Sequence, residues 1–277
     1  MSLKICVLKS GSSGNCTAIW TGRSAILVDC GGRTSRESFR QMLLEIDLRP
    51  AEINGILVTH GHGDHVNSDT FKIAKEFRIP IYIHRKTVLK GNDLKSAFPK
   101  YLIKNHSVRM FSIKEFKIKP FRSMHEGGNV GQPHGFCIEY GHNNIAYKIG
   151  YLTDTNRVSQ EMRDALSNSH CLVIEANHDL EMIENNPPPH SNWKQHLSNE
   201  AAAEAIVRII KNSTNNIPKY IFLAHLSRQN NNPRVAVRKI TKRIRDEGFH
   251  KIRVLLTDQV KKSKIKKLVS ERGFEFY

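Results

Sequence analysis

Residues 59–66 read THGHGDHV and follow directly on the apolar run GILV at 55–58. Three histidines and one aspartate, His60, His62, Asp64 and His65, fall within six positions. The glycines between them let the backbone fold tightly, so the four side chains converge. Imidazole together with carboxylate suits zinc, iron or manganese. The apolar run reads as a buried strand, which places the ligands where a strand ends. Four ligands in one loop do not complete two metal sites, so further His and Asp are expected at the ends of later strands.

The chain supplies them. FRSMHEGG at 121–128 offers His125 behind a strand-like run, IGYLTDT at 149–155 ends a strand on Asp154, and YIFLAHLS at 220–227 ends another on His225. Around these points short β-type runs alternate with amphipathic helices, the pattern of an α/β protein. Closely spaced strands at LKICVL, TAIW and AILVD predict antiparallel hairpins. Further strands are expected near 115–120, 135–140, 145–152, 171–175, 219–224 and 252–257. Helices are expected at 34–47, 67–77, 158–166, 198–211 and 234–246. In the first, Phe39, Met42, Leu43 and Ile46 keep the spacing of one buried face. Ser198 is the expected N-cap of the fourth, with Glu200 in its first turn.

At 277 residues the chain can bury a large core, and its 43 Lys and Arg against 26 Asp and Glu give a formal charge of +17. Such a charge concentrates polyanions by long-range steering, and nucleic acid is the partner it favours. The 5 cysteines are widely separated and read as free thiols in a reducing compartment. No 18-residue apolar stretch is present, and MSLKICVLKS lacks the apolar region of a secretory signal. A cytoplasmic protein without a membrane role is the expectation.

Together these motifs resemble the metallo-β-lactamase superfamily over nearly the whole chain, with Asp29 in ILVDCGG as the first motif and THGHGDHV as the second. The resemblance implies an αββα sandwich, two mixed sheets packed face to face with helices outside. It implies a single domain over 1–277 that includes the basic segment 234–277. By the resemblance one metal takes His60, His62 and His125, the other takes Asp64, His65 and His225, and Asp154 bridges them. Asp29 would support the site by orienting a ligand or the loop. The implied cofactors are two divalent ions, Zn2+ or Mn2+. The name-giving β-lactamases commonly carry Cys where this chain has Asp154. A bridging carboxylate favours two metals about 3.5–4 Å apart that share a hydroxide and clamp a phosphate, so antibiotic hydrolysis is not expected.

Four more stretches, GSSGNC at 11–16, EANHD at 175–179, HLSN at 196–199 and HLSRQNNNP at 225–233, resemble the YycJ/WalJ branch. That resemblance implies metal-dependent 5′-to-3′ exonuclease action on DNA. Where the branch has a short HDA followed closely by Pro and GF, this chain has HEGGNVGQPHGF at 125–136, with Glu126 in place of Asp. His134 therefore stays open beside His125 as the third-motif ligand. A small ester, lactone or cyclic phosphodiester stands as the alternative substrate class.

The remaining candidates concern substrate. In KSGSSGNC, Ser10, Ser12, Ser13 and Asn15 can present hydroxyls and backbone N–H groups to an anion, the alternative being a plain hairpin turn. His178 and His196 flank or end the Pro-rich stretch NNPPPHSNWKQHLSN, and either can protonate a leaving oxygen near neutral pH. They join Asp64 and Asp154 as candidate catalytic groups. Asn231 and Asn232 can position phosphates, although Asn before Pro is also a common turn. Residues 234–277 hold 14 Lys and Arg against five acids. Their helix buries Val237, Ile240 and Ile244, which leaves a positive face for salt-sensitive phosphate contacts.

Overall fold

The closely spaced apolar runs at the start of the chain form a meander, in which β1 (Leu3–Lys9), β2 (Cys16–Trp20) and β3 (Ala25–Val28) pair antiparallel. β4 (Ile53–Leu57), β5 (Ile81–His84) and β6 (Ile103–His106) continue the sheet in parallel. The computed structural model describes residues 2–89, 99–125, 130–142, 145–259 and 261–268. Glu126 and the end of the basic segment, 269–277, lie outside the described residues.

The second sheet begins with β7 (Phe111–Ile113), β8 (Phe116–Arg122), β9 (His134–His142) and β10 (Ile145–Leu152), all antiparallel. β11 (Cys171–Glu175), β12 (Tyr220–Ala224) and β13 (Arg253–Leu256) follow in parallel, and β14 (Lys266–Leu268) returns to the first sheet beside β1. Among the described residues both sheets have seven strands, in the orders β14-β1-β2-β3-β4-β5-β6 and β13-β12-β11-β10-β9-β8-β7. The expected strands are all present. β5, β6, β7 and β14 were not expected, because short segments such as IKNH and KKL carry no apolar run.

Strand side chains alternate between faces, so each sheet buries two of them. Ile5, Val7, Ile26, Phe116, Phe136, Ile149, Val173 and Phe222 fill the layer between the sheets. Outside the first sheet lie α1 (Arg36–Leu44) and α2 (Ser68–Glu76), whose Phe39, Leu43, Phe71 and Ile73 pack with Leu8, Leu27 and Ile56 on that sheet's outer face. Outside the second lie α3 (Gln160–Leu166), α5 (Asn199–Lys211) and α6 (Pro233–Asp246), seated through Met162, Leu166, Ile206, Ile210, Ile240 and Ile244. Each such side chain contributes about 1.5–3 kcal/mol when fully buried. A short α4 (Leu180–Asn185) follows β11. Ser198 accepts from the Ala201 N–H as the N-cap of α5, with Glu200 in the first turn. The result is the expected αββα layering. No helix among the described residues is long and apolar enough to cross a membrane.

The parallel strands decide where chemistry can sit. β3, β4, β10, β11 and β12 all deliver their C-terminal ends to one rim, immediately before Asp29, the 59–66 loop, Asp154, the 176–179 turn and His225. Asp29, Asp154 and His225 are left-handed there, with φ of 57°, 55° and 56°. Non-glycine residues adopt that conformation at a cost, and they do so here at three strand ends on the same rim.

Candidate metal centre

The Thr59 hydroxyl organises the centre. It donates to the Asp29 carboxylate, 2.9 Å from Oδ2, and the Thr59 N–H donates to Asp29 Oδ1 at 2.9 Å. The same hydroxyl oxygen lies 3.0 Å from His60 Nδ1. Its single proton is committed to Asp29, so His60 Nδ1–H is the donor and the Nε2 lone pair faces inward. Asp29 Oδ2 also accepts from His65 Nδ1 at 2.8 Å, which turns His65 Nε2 toward Asp154 Oδ2 at 3.2 Å and Asp64 Oδ2 at 3.4 Å. His125 Nδ1 donates to the Gln195 carbonyl at 3.3 Å and so directs Nε2 to His62 Nδ1, 3.2 Å away. His60 Nε2 is 3.0 Å from the same His62 nitrogen.

Ligand atoms of His60, His62 and His125 thus lie within 4.8 Å of one another, as do those of Asp64, His65 and His225. Asp154 joins both neighbourhoods, grouping with His60 and His65 and also with His225, Glu175 and His196. The donor set fits two divalent cations. Three imidazole lone pairs turned on one point repel unless a cation lies between them, and the buried Asp154 Oδ2 and His225 Nε2 take part in no hydrogen bond.

Protonation follows the same division. Burial, reinforced by the neighbouring His65, holds His60 well below its usual value. Burial and then His125 bring His62 down to about 4, and burial lowers His125 as well. All three are therefore neutral at pH 7, the form in which an imidazole can hold a metal. Burial would raise the Asp64 carboxyl, but the charge of His65 and the His225 imidazole 3.5 Å away hold it below the carboxylate range. Asp154 is likewise held down against its burial by His225 and His65. His65 and His225 move the other way. Burial opposes their charge, but Asp154 chiefly outweighs it, and His225 is pushed up to about 10.

Glu175 is the residue that the sequence reading missed. It ends β11 fully buried, and its Oε1 accepts from His196 Nδ1 at 2.7 Å and His225 Nδ1 at 3.1 Å. Its Oε2 accepts from the backbone N–H of Thr155 at 2.9 Å. Burial would raise this carboxyl, yet His196 and the hydrogen bonds bring it to about 2. A charged residue closing the otherwise apolar CLVIE was the available signal.

The other candidates divide. His196 lies in the centre, its ring stacked 5.0 Å from His225 and 5.2 Å from His125. His178 belongs to neither metal group; its ring meets Trp193 edge-on at 5.2 Å, and its Nδ1 has no hydrogen-bond partner. His134 sits in a separate buried cluster, 4.4 Å from His84 and 5.7 Å from His106 between ring centroids. Ser10 accepts from the His225 N–H at 2.8 Å, and Asn15 Nδ2 reaches His65 Nε2 at 3.0 Å and Asp64 Oδ2 at 3.2 Å. Both are buried supports of the ligands. Ser12 and Ser13 line an open cavity of about 610 Å³ with Lys9, Arg33 and Asp64. Asn231 is buried in a network with Asn199 and the carbonyls of Ala176 and Asn177, and Asn232 caps α6.

Comparison with known proteins agrees with this geometry. The model of the metallo-beta-lactamase superfamily matches residues 10–148. The chain is 30% identical over 260 residues to the exodeoxyribonuclease YycJ of Bacillus anthracis, covering 90% of this chain and 92% of that protein. It is also 30% identical over 240 residues to the exodeoxyribonuclease WalJ of Streptococcus pneumoniae serotype 2, covering 83% and 84% respectively. The crystal structure of the metallo-beta-lactamase fold protein YhfI from Bacillus subtilis superposes with a TM-score of 0.69 at 13% identity, over 96% of this chain and 100% of that one.

Proposed function

The chain belongs to the metallo-β-lactamase superfamily, as a metal-dependent hydrolase of its YycJ/WalJ branch, and from that premise we propose that it is a 5′-to-3′ exonuclease acting on DNA. The observation that carries the reading is a pair of metal groups sharing Asp154 and opening onto a cavity lined by Lys9 and Arg33. Both names of the curated relatives, exodeoxyribonuclease, support it.

One divalent ion, zinc or manganese, falls to His60, His62 and His125, a second to Asp64, His65 and His225, and Asp154 reaches both. Bound there, the pair supplies Lewis acidity to a phosphoryl oxygen and lowers the pKa of water toward about 7. The protein does the rest. Asp29 and Thr59 fix the tautomers of His60 and His65, and Glu175 fixes that of His225. Lys9, Arg33 and the hydroxyls of Ser12 and Ser13 hold the phosphates that flank the scissile bond. His196 carries the proton for the leaving oxygen: burial lowers its proton affinity, but Glu175 at Nδ1 raises it above the usual value. His178, outside the metal groups, forms an isolated parallel β-bridge with Ser198, the N-cap of α5.

End-labelled single- and double-stranded DNA and RNA, incubated with manganese or zinc, test the reading, with Asp154→Ala as the control. Release of 5′ nucleotides from DNA by the wild-type chain alone is the expected result. Metal-dependent hydrolysis of small esters with no cleavage of any polymer would overturn it.

A further inference from the structure

The basic charge of residues 234–277 is divided unequally by the fold. On α6 three of the six cations are spent internally: Lys239 meets Asp179 and Glu200 at 2.7 Å each, Arg243 meets Glu204 at 2.9 Å, and Lys242 meets Asp246 at 3.5 Å. The segment after β13 is different. Lys264, Lys266 and Lys267 form no ion pair among the described residues, and Lys262 donates to the Glu45 carbonyl at 2.8 Å and lies 3.7 Å from its carboxylate.

This segment runs down one open edge of the sandwich. At its upper end Gln259 lines the cavity beside Asp64, Lys9 and Arg33, and the Asp258 carbonyl accepts from the Ser10 N–H at 2.9 Å. Midway, Ser263 is pinned to β1, donating its N–H to the Val7 carbonyl at 2.7 Å and accepting from the Val7 N–H at 2.9 Å. At the lower end Lys266 pairs with Ile5 and Lys267 with Lys4. There a second cavity of about 710 Å³ opens, lined by Lys4, Arg253, Lys262, Lys264, Lys266 and Lys267, with Asp47 as its one carboxylate among the described residues. Tyr220 and Arg253, which begin β12 and β13, flank it, so it lies at the pole opposite the metal centre.

We infer that this edge is a track for the phosphodiester backbone of the substrate strand, leading from the metal rim down to the lysine-lined cavity. The inference rests on the nuclease reading above and extends it: with the 5′ end at the metals, the 3′-ward continuation follows Gln259 and residues 261–267. Fully extended, the stretch 261–267 spans at most about 25 Å. With a rise of about 3.4 Å per nucleotide along a stacked strand, that length matches about seven nucleotides. Burial lowers the proton affinity of Lys266, and the neighbouring charges of Arg253 and Lys264 lower it further. A membrane surface fits less well. The segment is extended, and Ile265 is its one exposed large apolar side chain among the described residues.

The test replaces Lys262, Lys264, Lys266 and Lys267 together by Gln and, separately, by Arg. Affinity for a fluorescent 20-nucleotide strand is measured by anisotropy in chelator across 50–200 mM salt. Hydrolysis of a four-nucleotide strand and of bis(p-nitrophenyl) phosphate is measured with manganese. The Gln variant is expected to lose at least tenfold in affinity for the long strand, and its log–log salt slope to fall by about three, at about 0.7 per single-strand phosphate. Both hydrolysis rates stay unchanged, and the Arg variant keeps wild-type binding. Unchanged affinity and slope in the Gln variant, or failure of the wild-type chain to bind the long strand in a salt-dependent way, overturns the track. A loss of binding alongside a wild-type chain that cuts no polymer would instead overturn the nuclease reading and leave the track standing.

Discussion

Gly31→Ala tests whether the two metal groups are held by one rigid loop. Gly31 has no left-handed backbone to protect, so an added methyl acts by sterics alone. Its Cβ would lie 2.2 Å from the Asp64 carbonyl carbon and 2.3 Å from both the Asp64 oxygen and the His65 nitrogen. Ordinary contact begins near 3.4 Å, so the Asp64–His65 peptide must withdraw by roughly 1 Å. That peptide is tied on the other side, since the Asp64 carbonyl accepts from the Asn15 N–H at 2.8 Å and the His65 carbonyl from the Cys30 N–H at 3.1 Å. Overpacking of this kind costs about 1–3 kcal/mol, a melting shift of several degrees. A displacement near 1 Å in a catalytic group lowers the rate on the order of 100-fold. Elemental analysis after desalting should show the ion held by Asp64, His65 and His225 weakened more than the one held by His60, His62 and His125. A folded variant that retains both ions and full hydrolase activity would refute the argument, because the loop would then be free to move without consequence.

Three other substitutions bear on the supporting shell. Asp29→Asn replaces the acceptor of His65 Nδ1–H by an amide and should weaken metal binding about 10–100-fold, read by competition with a chromogenic chelator; unaltered competition counts against the role given to Asp29. Glu175→Gln removes the carboxylate that orients His196 and His225, and should lower the hydrolysis rate while shifting the pH profile. If only stability changes, Glu175 is structural. For Asp179, burial would raise the carboxyl, but the hydrogen bonds from Lys239 and Asn199 hold it below its unfolded value. Its stabilisation is therefore present above the unfolded pKa near 3.9 and lost as pH falls through the lower folded value. Melting curves between pH 5 and pH 3 should fall more steeply for the wild-type chain than for Asp179→Asn, and parallel curves would contradict the assignment.

Which residues gather at the rim was legible in the sequence because metal chemistry restricts residue type at each strand end. His60, His62, Asp64, His65, His125, Asp154 and His225 come together as that logic requires. The choice between His125 and His134 was not legible, since both follow strand-like runs and only tertiary placement separates them. His134 opens β9 with its side chain against β5 and β6, beside His84 and His106. Those two strands were themselves hidden, both being only four residues long and β6 lacking an apolar run. Asn15 and Ser10 were read as groups for the substrate, but each is occupied with a ligand residue or its backbone. A Gly- and Ser-rich loop serves either use, and the difference lies in which neighbour packs against it. The basic segment shows the same limit: composition counts its cations, whereas the fold decides that Lys239, Lys242 and Arg243 of α6 meet carboxylates and that Lys264, Lys266 and Lys267 near β14 meet none among the described residues.

The backbone at the rim explains why so few ligands suffice for so buried a centre. Asp29, Asp154 and His225 each turn left-handed on leaving a strand, at about 1–3 kcal/mol apiece. That geometry lifts each side chain out of the strand's alternation and aims it along the sheet axis, where a regular strand would send it into one of the two apolar layers. Hydrogen bonds offset the strain locally: the Asp29 N–H donates to Leu57 at 2.7 Å, the His225 N–H to Ser10 at 2.8 Å, and the Thr155 N–H, next to Asp154, to Glu175 at 2.9 Å. Glycine at these positions would relieve the backbone and abolish the ligand. The strain is therefore bound to the chemistry, and what stabilises it is the same set of buried polar groups, Glu175 and Ser10 among them, that fixes the direction of the ligands.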